Sequence, residues 1–276
     1  MRCTKKKRKN RGIFSSAAAL NMNQMPETYF PETVDILGVP VHMVTMDQTV
    51  ALGRRFMAEP GCSQIATVNP EFVMAAQQDE AFMAVLQQAD LCIPDGIGLV
   101  YASRRLGSPL PERVPGSELV YRLAEAAAED SRRLFLLGAA PGVAEEAAAV
   151  FRARYPALDI AGTYAGSPDA DENETIVNLI NNSEADLLYV AYGAPNQDKW
   201  IVRNHDVLSS VRLAVGVGGS LDFITGHAQR APHWAQRMNI EWLHRLVMEP
   251  WRWRRMLALP RFALAVLFNP QGGPGQ

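Results

Sequence analysis

Residues 64–77 read Gln64-Ile-Ala-Thr-Val-Asn-Pro-Glu-Phe-Val-Met-Ala-Ala-Gln77. The apolar run 64–68 stops at Asn69, as a strand covered on both faces would. Pro70 then opens a helix through Gln77, because its fixed φ and missing N–H suit a first helical position. The same switch from strand to helix recurs along the chain. Strands are predicted at 90–93, 134–137, 158–162, 187–192 and 213–217, and 36–41 (Ile36-Leu-Gly-Val-Pro-Val41) reads as one first strand. Helices are predicted at 47–57, around Phe82, Val85 and Leu86, and at 98–106, 117–128, 143–154, 172–182 and 197–208. Alternation of this length predicts an α/β, Rossmann-like fold, with a mostly parallel sheet flanked by helices.

At 276 residues and 48% apolar composition the chain can bury a large core. Residues 1–33 lack periodicity and read as a flexible leader, and 34–227 as the Rossmann-like core. After Arg230 the composition turns to Trp, Arg and Leu, so 228–268 reads as a helical C-terminal appendage, and 269–276 as a disordered tail. The net charge of −2 is uneven. Residues 1–11 carry seven Lys/Arg and no acid, and 228–276 carry seven Arg against Glu241 and Glu249, leaving −14 on the body between. A cationic tail on an acidic body points to an anionic partner for the tail, such as an anionic membrane surface. The basic leader is open to three readings: a nucleic-acid arm, a membrane-attracted segment, or an untidy start without function. Three cysteines without redox or metal spacing read as free thiols of a reducing compartment. No window reaches the ~18 apolar residues of a membrane span, which predicts a cytoplasmic protein at most touching a membrane from its inner face.

Chemistry in such folds gathers outside the carboxyl ends of the strands. Two strand ends finish in polar residues there: Thr67-Val-Asn69-Pro70-Glu71, and Pro94-Asp95-Gly96-Ile97-Gly98. Asp95 is the candidate base, although Pro-Asp-Gly alone equally describes a turn or a helix cap. Likewise Asn69-Pro70 alone describes a helix start. Gly138-Ala139-Ala-Pro-Gly142 follows a strand and opens a helix, so its amides can meet a phosphate; Gly216-Val-Gly218-Gly219-Ser220 has the same form. Together they point to a nucleotide diphosphate held between neighbouring strand ends, with Gly193 in a third turn; each loop alone is also an ordinary tight turn. Asp169-Ala-Asp171 spells a metal-binding D-x-D, but its polar setting reads as helix capping. The five histidines lack zinc spacing and Gly-x-Ser-x-Gly is absent, so neither a metal site nor a serine hydrolase is expected.

Longer blocks carry a resemblance. TVNPEFVMAAQQDEAF (67–82), ADLCIPDGIGLVYASRRLG (89–107) and LPERVPGSEL (110–119) resemble the WecG/TagA/CpsF family of bacterial glycosyltransferases. So do Gly193-Ala-Pro-Asn-Gln197-Asp-Lys-Trp200, Gly216–Asp222, Arg230-Ala-Pro232 and 241–252, in the same order. The resemblance implies an inverting transfer of an N-acetylmannosamine-like sugar from a UDP-sugar donor to a polyprenyl-pyrophosphate-linked sugar, in cell-surface polysaccharide or teichoic-acid synthesis. It implies Asp95 as base, and Thr67, Asn69 and Gln197 as substrate-binding residues. Arg245, Arg252 and Arg255 would meet the pyrophosphate; without the resemblance they read equally as a solvated face. No cofactor is implied. Two departures stand out: the family's G-x-P-x-Q-E is Gln197-Asp198 here, and a Gly-Tyr-Phe-like segment is missing near Asp169.

Two other readings stay open. A Rossmann oxidoreductase is disfavoured because Gly38-Val-Pro-Val lacks the dinucleotide fingerprint. A non-catalytic nucleic-acid or membrane adaptor would work through the basic leader and tail, whereas the glycosyltransferase reading calls for no nucleic acid. The Trp-rich tail suits a bilayer interface, a docking face or a homo-oligomer contact.

Overall fold

The computed structural model describes residues 30–228 and 253–268, with Pro232, Leu243, Leu246 and Met248, and Arg254 without its side chain. Arg245, Arg252 and the leader through residue 29 lie outside the described residues.

The ordered chain opens with a hairpin, β1 (Thr33–Ile36) and β2 (Val39–His42), rather than the single strand expected at 36–41. Leu37 and Gly38 both adopt positive φ (55° and 85°), which is how a two-residue turn reverses a twisted ribbon, and the Gly38 N–H donates to Asp35 Oδ1 at 2.8 Å. A leucine in that conformation hid the turn. Helix α1 (Met46–Ala58) follows, closed by a reciprocal Thr45–Gln48 capping box. Then come β3 (Ser63–Val68), α2 (Pro70–Ala76), α3 (Glu80–Gln88), β4 (Leu91–Pro94), α4 (Ile97–Arg105) and α5 (Gly116–Glu129). The second half contains β5 (Arg133–Gly138), α6 (Val143–Arg154), β6 (Asp159–Tyr164), α7 (Ala170–Asn182), β7 (Leu187–Ala191), α8 (Asn196–Asn204) and β8 (Leu213–Gly216). It continues into the short helices α9 (Ser220–Thr225) and α10 (Trp253–Met256), and ends in α11 (Ala258–Phe268). Pro260 is third in α11, in the first turn, where its missing N–H has no intrahelical acceptor to lose.

Strands β3 to β8 form one parallel sheet in the order β4-β3-β8-β7-β5-β6. The predicted α/β fold, with a parallel sheet between helices, is therefore the observed one. Successive residues of a strand enter opposite layers, as the pleat demands. Leu187 and Tyr189 of β7 join the core under α1, α5, α6 and α9, whereas Leu188 and Val190 join the one under α7 and α8. A third apolar cluster packs the hairpin, α2, α3, α4 and α11 against β3 and β4. The hairpin covers the β4 edge, where the Cys92 N–H donates to His42 Nδ1 at 2.9 Å; burial holds that imidazole down to about 4, a neutral structural acceptor. Cys62 and Cys92 are buried and free, and burial pushes the Cys62 thiol up to about 12.

From β3 the chain winds outward to β4, and from β5 it winds outward to the opposite edge, β6. The direction of winding therefore reverses between β3 and β5, and β8 and β7 occupy that gap. Ligands of open parallel sheets bind at such reversals, beyond the strands' carboxyl ends.

Candidate active site

Thr67 and Asn69 end β3, Asp95 follows β4, and the two strands are paired through Val68 and Pro94. The three residues therefore stand together at adjacent strand ends on the carboxyl edge of the sheet. Asp95 does not cap α4, whose N-cap is Gly96 without any side-chain cap bond. Its Oδ1 instead accepts the N–H of Gly116, the first residue of α5, at 2.9 Å. Gly116 also draws the neighbours together. A Cβ there would stand 3.1 Å from Thr67 Cγ2 and 3.4 Å from Asp95 Oδ2, so the position is filled on both sides. The sequence points to Asp95 but not to Gly116, whose only signal is Pro115-Gly116 at the start of a helix. Asn69 has the capping role as well, its Oδ1 accepting the Phe72 N–H at 3.0 Å.

Thr67 is 9% exposed and its Oγ1 donates to the Gly216 carbonyl at 3.3 Å, tying β3 to β8 at the crevice floor. Gln197 lies beneath the next turn, 2% exposed, with Oε1 accepting the Gly218 N–H at 2.9 Å. It braces the Gly218–Gly219 loop from below. The glycine loops are not on neighbouring strands, contrary to expectation. Gly138 ends β5 with Ala139 and Gly142 just after it, Gly218 and Gly219 follow β8, and β7 with its Gly193 turn stands between them. The three turns make one row along the carboxyl edge. Gly142 is the N-cap of α6, and the first helical amide, that of Val143, donates to the Ala140 carbonyl at 3.1 Å, closing the turn on itself.

Asp198, flagged by sequence only as a departure from Glu, is fully buried. Its Oδ1 lies 3.5 Å from Gln64 Nε2 as acceptor, and Oδ2 has no hydrogen-bond partner. Both Gln197 and Asp198 pack on Gly216, where a Cβ would meet Gln197 Nε2 at 2.5 Å and Asp198 Oδ1 at 3.0 Å. Burial pushes the Asp198 carboxyl up to about 7, against the smaller opposing pull of hydrogen bonds from Gln197, its own backbone and Gln64. An unfolded Asp ionises near ~3.9, so between there and the folded value the native state keeps a proton that the unfolded state has released. Native stability is therefore lost as pH rises through that window. Relative to the native chain, Asp198→Asn should gain on the order of 2–3 kcal/mol between pH 5 and pH 8 in urea unfolding. A difference that does not change with pH would contradict this burial.

Of the three tail arginines only Arg255 lies among the described residues. Its Nε and Nη2 reach Glu71 Oε2 at 3.1 and 3.0 Å, in the first turn of α2 and two residues from Asn69. Beside that pair runs a groove of about 250 Å³, floored by Phe72, Met74, Phe82 and Pro195 and flanked by Arg255 and Arg261. Asp169 and Asp171 sit at the N-terminus of α7, where the Ser167 hydroxyl donates to Asp169 Oδ2 at 2.7 Å. Among the described residues no group of three His, Cys, Asp or Glu is arranged to hold a metal ion. No helix among them is long and apolar enough to cross a membrane.

The model of the family described as "Glycosyl transferase WecG/TagA/CpsF family" matches residues 34–273. The chain is 37% identical over 203 residues to the N-acetylglucosaminyldiphosphoundecaprenol N-acetyl-beta-D-mannosaminyltransferase of Bacillus subtilis, covering 74% of this chain and 78% of that protein. It is 38% identical to the enzyme of the same name from Bacillus spizizenii, with the same coverage. The Staphylococcus aureus enzyme of that name is 37% identical over 231 residues, covering 83% of this chain and 90% of its own length.

Proposed function

The chain belongs to the WecG/TagA/CpsF family of glycosyltransferases, and from that premise we propose that it moves an N-acetylmannosamine-type sugar from a UDP-sugar to an N-acetylglucosamine carried on undecaprenyl diphosphate, with inversion. The observation that supports the reading is that Thr67, Asn69 and Asp95 stand at the ends of the paired strands β3 and β4, beside a row of glycine turns.

Inversion needs the acceptor hydroxyl to attack the anomeric carbon from the face opposite the departing diphosphate. The attacking oxygen becomes acidic as it bonds, and Asp95 takes its proton. The C–O bond to the diphosphate breaks, and UDP leaves with the electron pair. Hydrogen bonding from the Gly116 amide holds the carboxylate at one orientation, so the base is set before substrate arrives. Charge growing on the diphosphate meets the positive N-terminal end of α6, behind the Gly138–Gly142 turn. Thr67 and Asn69 bound the sugar pocket, and Gln197 keeps the Gly218 turn in place.

The tail arginines, Arg245, Arg252 and Arg255, would face the acceptor's pyrophosphate at the inner membrane surface. Arg255 beside the first turn of α2 supports that placement, and so does the outward face of α11, where Leu264, Leu267 and Phe268 are 53%, 54% and 78% exposed. Such a face, next to cationic residues, suits peripheral contact with anionic lipid.

A donor panel tests the reading. With a short-chain lipid-pyrophosphoryl N-acetylglucosamine as acceptor, UDP-N-acetylmannosamine should turn over at least about tenfold faster than UDP-N-acetylglucosamine or UDP-glucose, because a site built to hydrogen-bond one epimer leaves polar groups unpaired with another. Preference for a hexose without the acetamido group would reject the proposed donor.

A further inference from the structure

Helix α11 packs against α2 and α4. Phe262 and Val266 are 4% and 5% exposed and belong to the apolar cluster that holds Phe72 and Val73 of α2 and Leu99 and Ala102 of α4. These two helices each begin directly after one of the crevice loops: α2 after Asn69, α4 after Asp95-Gly96. The contact is closest at their first turns. A Cβ on Gly98 would meet Pro70 Cγ at 2.8 Å and Phe262 Cε1 at 3.7 Å; one on Gly96 would meet Pro70 Cδ at 2.5 Å. Phe262, Gly98, Pro70 and Gly96 therefore form one packed row ending beside Asp95. The Arg255–Glu71 pair ties the same C-terminal segment to α2 one residue past Pro70.

We propose that Phe262 is a positioning residue for the transfer step: by closing this row it fixes the spacing between the loop of Asp95 and the loop of Thr67 and Asn69. The inference rests on the reading of Asp95 as the base. Interiors are packed too closely to deform smoothly, so a hole at Phe262 lets Gly98 and Pro70 relax toward it and carries Asp95 away from the acceptor oxygen. Misplacement of about 1 Å at a reacting group costs about a hundredfold in rate. Binding of a donor held at the far glycine turns is left alone. The C-terminal segment thus acts on chemistry even when the acceptor is too short to need a membrane.

The test uses the full chain, a soluble short-chain lipid-pyrophosphoryl acceptor, and kcat and KM for both substrates, with the folded fraction measured at assay temperature. Phe262→Ala should lower kcat by about tenfold to a hundredfold with donor KM within about twofold. Phe262→Leu, which keeps much of the contact, should return to within about threefold of the native kcat. Gly98→Ala, which wedges the row apart from the opposite side, should give the same kcat-selective loss. Ile180→Ala, a cavity in the α7 layer remote from the crevice, should be destabilised and keep its kcat per folded molecule. Unchanged kcat in Phe262→Ala or Gly98→Ala, equal kcat loss in Ile180→Ala, or an effect confined to acceptor KM would overturn the proposal. Asp95→Asn separates the two readings. If it is inactive while Phe262→Ala is fully active, the positioning role alone fails; if it retains turnover, the base reading fails and this inference with it.

Discussion

Asp95→Asn is expected to fold, to bind donor, and to lose about 10²–10⁴ of kcat, because the change keeps the shape of the side chain and removes its capacity to take a proton. Its remaining carbonyl oxygen can still accept the Gly116 N–H, so the contact seen at 2.9 Å survives and the loss is chemical rather than architectural. The measurement is kcat for the native chain and the variant, with donor affinity measured separately. Turnover near the native value in a folded variant would remove Asp95 as base.

The second large effect belongs to Gly138, at the end of β5 where the expected diphosphate loop begins. Its φ is +98°, and a Cβ would lie 2.8 Å from the Ala191 carbonyl carbon and 3.1 Å from the Ala191 nitrogen and oxygen. Those are backbone atoms of β7, and they cannot rotate aside. Gly61 supplies an internal comparison, since it has the same φ of +98° and nothing within 4 Å of its missing Cβ. Gly61→Ala should cost only the conformational strain, about 1–2 kcal/mol. Gly138→Ala should cost about 2–5 kcal/mol, since overpacking adds to the same strain, and should weaken donor binding as the loop shifts. Urea unfolding of the two variants reads the difference directly. Equal costs would mean that β5 and β7 do not meet as described.

How much of this could be read from sequence depended on where the determining contacts lie. The parallel strands were legible because burial on both faces leaves nearly continuous apolar runs, as in Leu134-Phe-Leu-Leu137 and Leu187-Leu-Tyr-Val190. The hairpin was not, because its turn puts Leu37, a residue without turn preference, at positive φ. Strand order was not legible either: whether β5 neighbours β8 or β7 depends on crossovers through helices, which leave no local trace. Sequence alone therefore puts the two glycine loops on neighbouring strands, whereas β7 separates them. The placement of Thr67, Asn69 and Asp95 at strand ends was legible because each ends an apolar run in polar residues. Gly116 and Asp198 acquire their meaning only from packing, one against Thr67 and Asp95, the other against Gly216 and Gln64. Phe262 looked like any apolar residue of a Leu-rich helix until its neighbours, Gly98 and Pro70, were known.

The account turns on an inverting transfer carried out by the Asp95 crevice, and the anomeric configuration of the product tests it most directly. The full chain is incubated with UDP-N-acetylmannosamine, an α-linked donor, and a short-chain lipid-pyrophosphoryl N-acetylglucosamine, and the new linkage is read by NMR from its one-bond carbon–proton coupling. The expected product is the β-linked disaccharide, formed by the native chain and absent with Asp95→Asn. An α-linked product, or donor hydrolysis without transfer to the acceptor, would contradict the account.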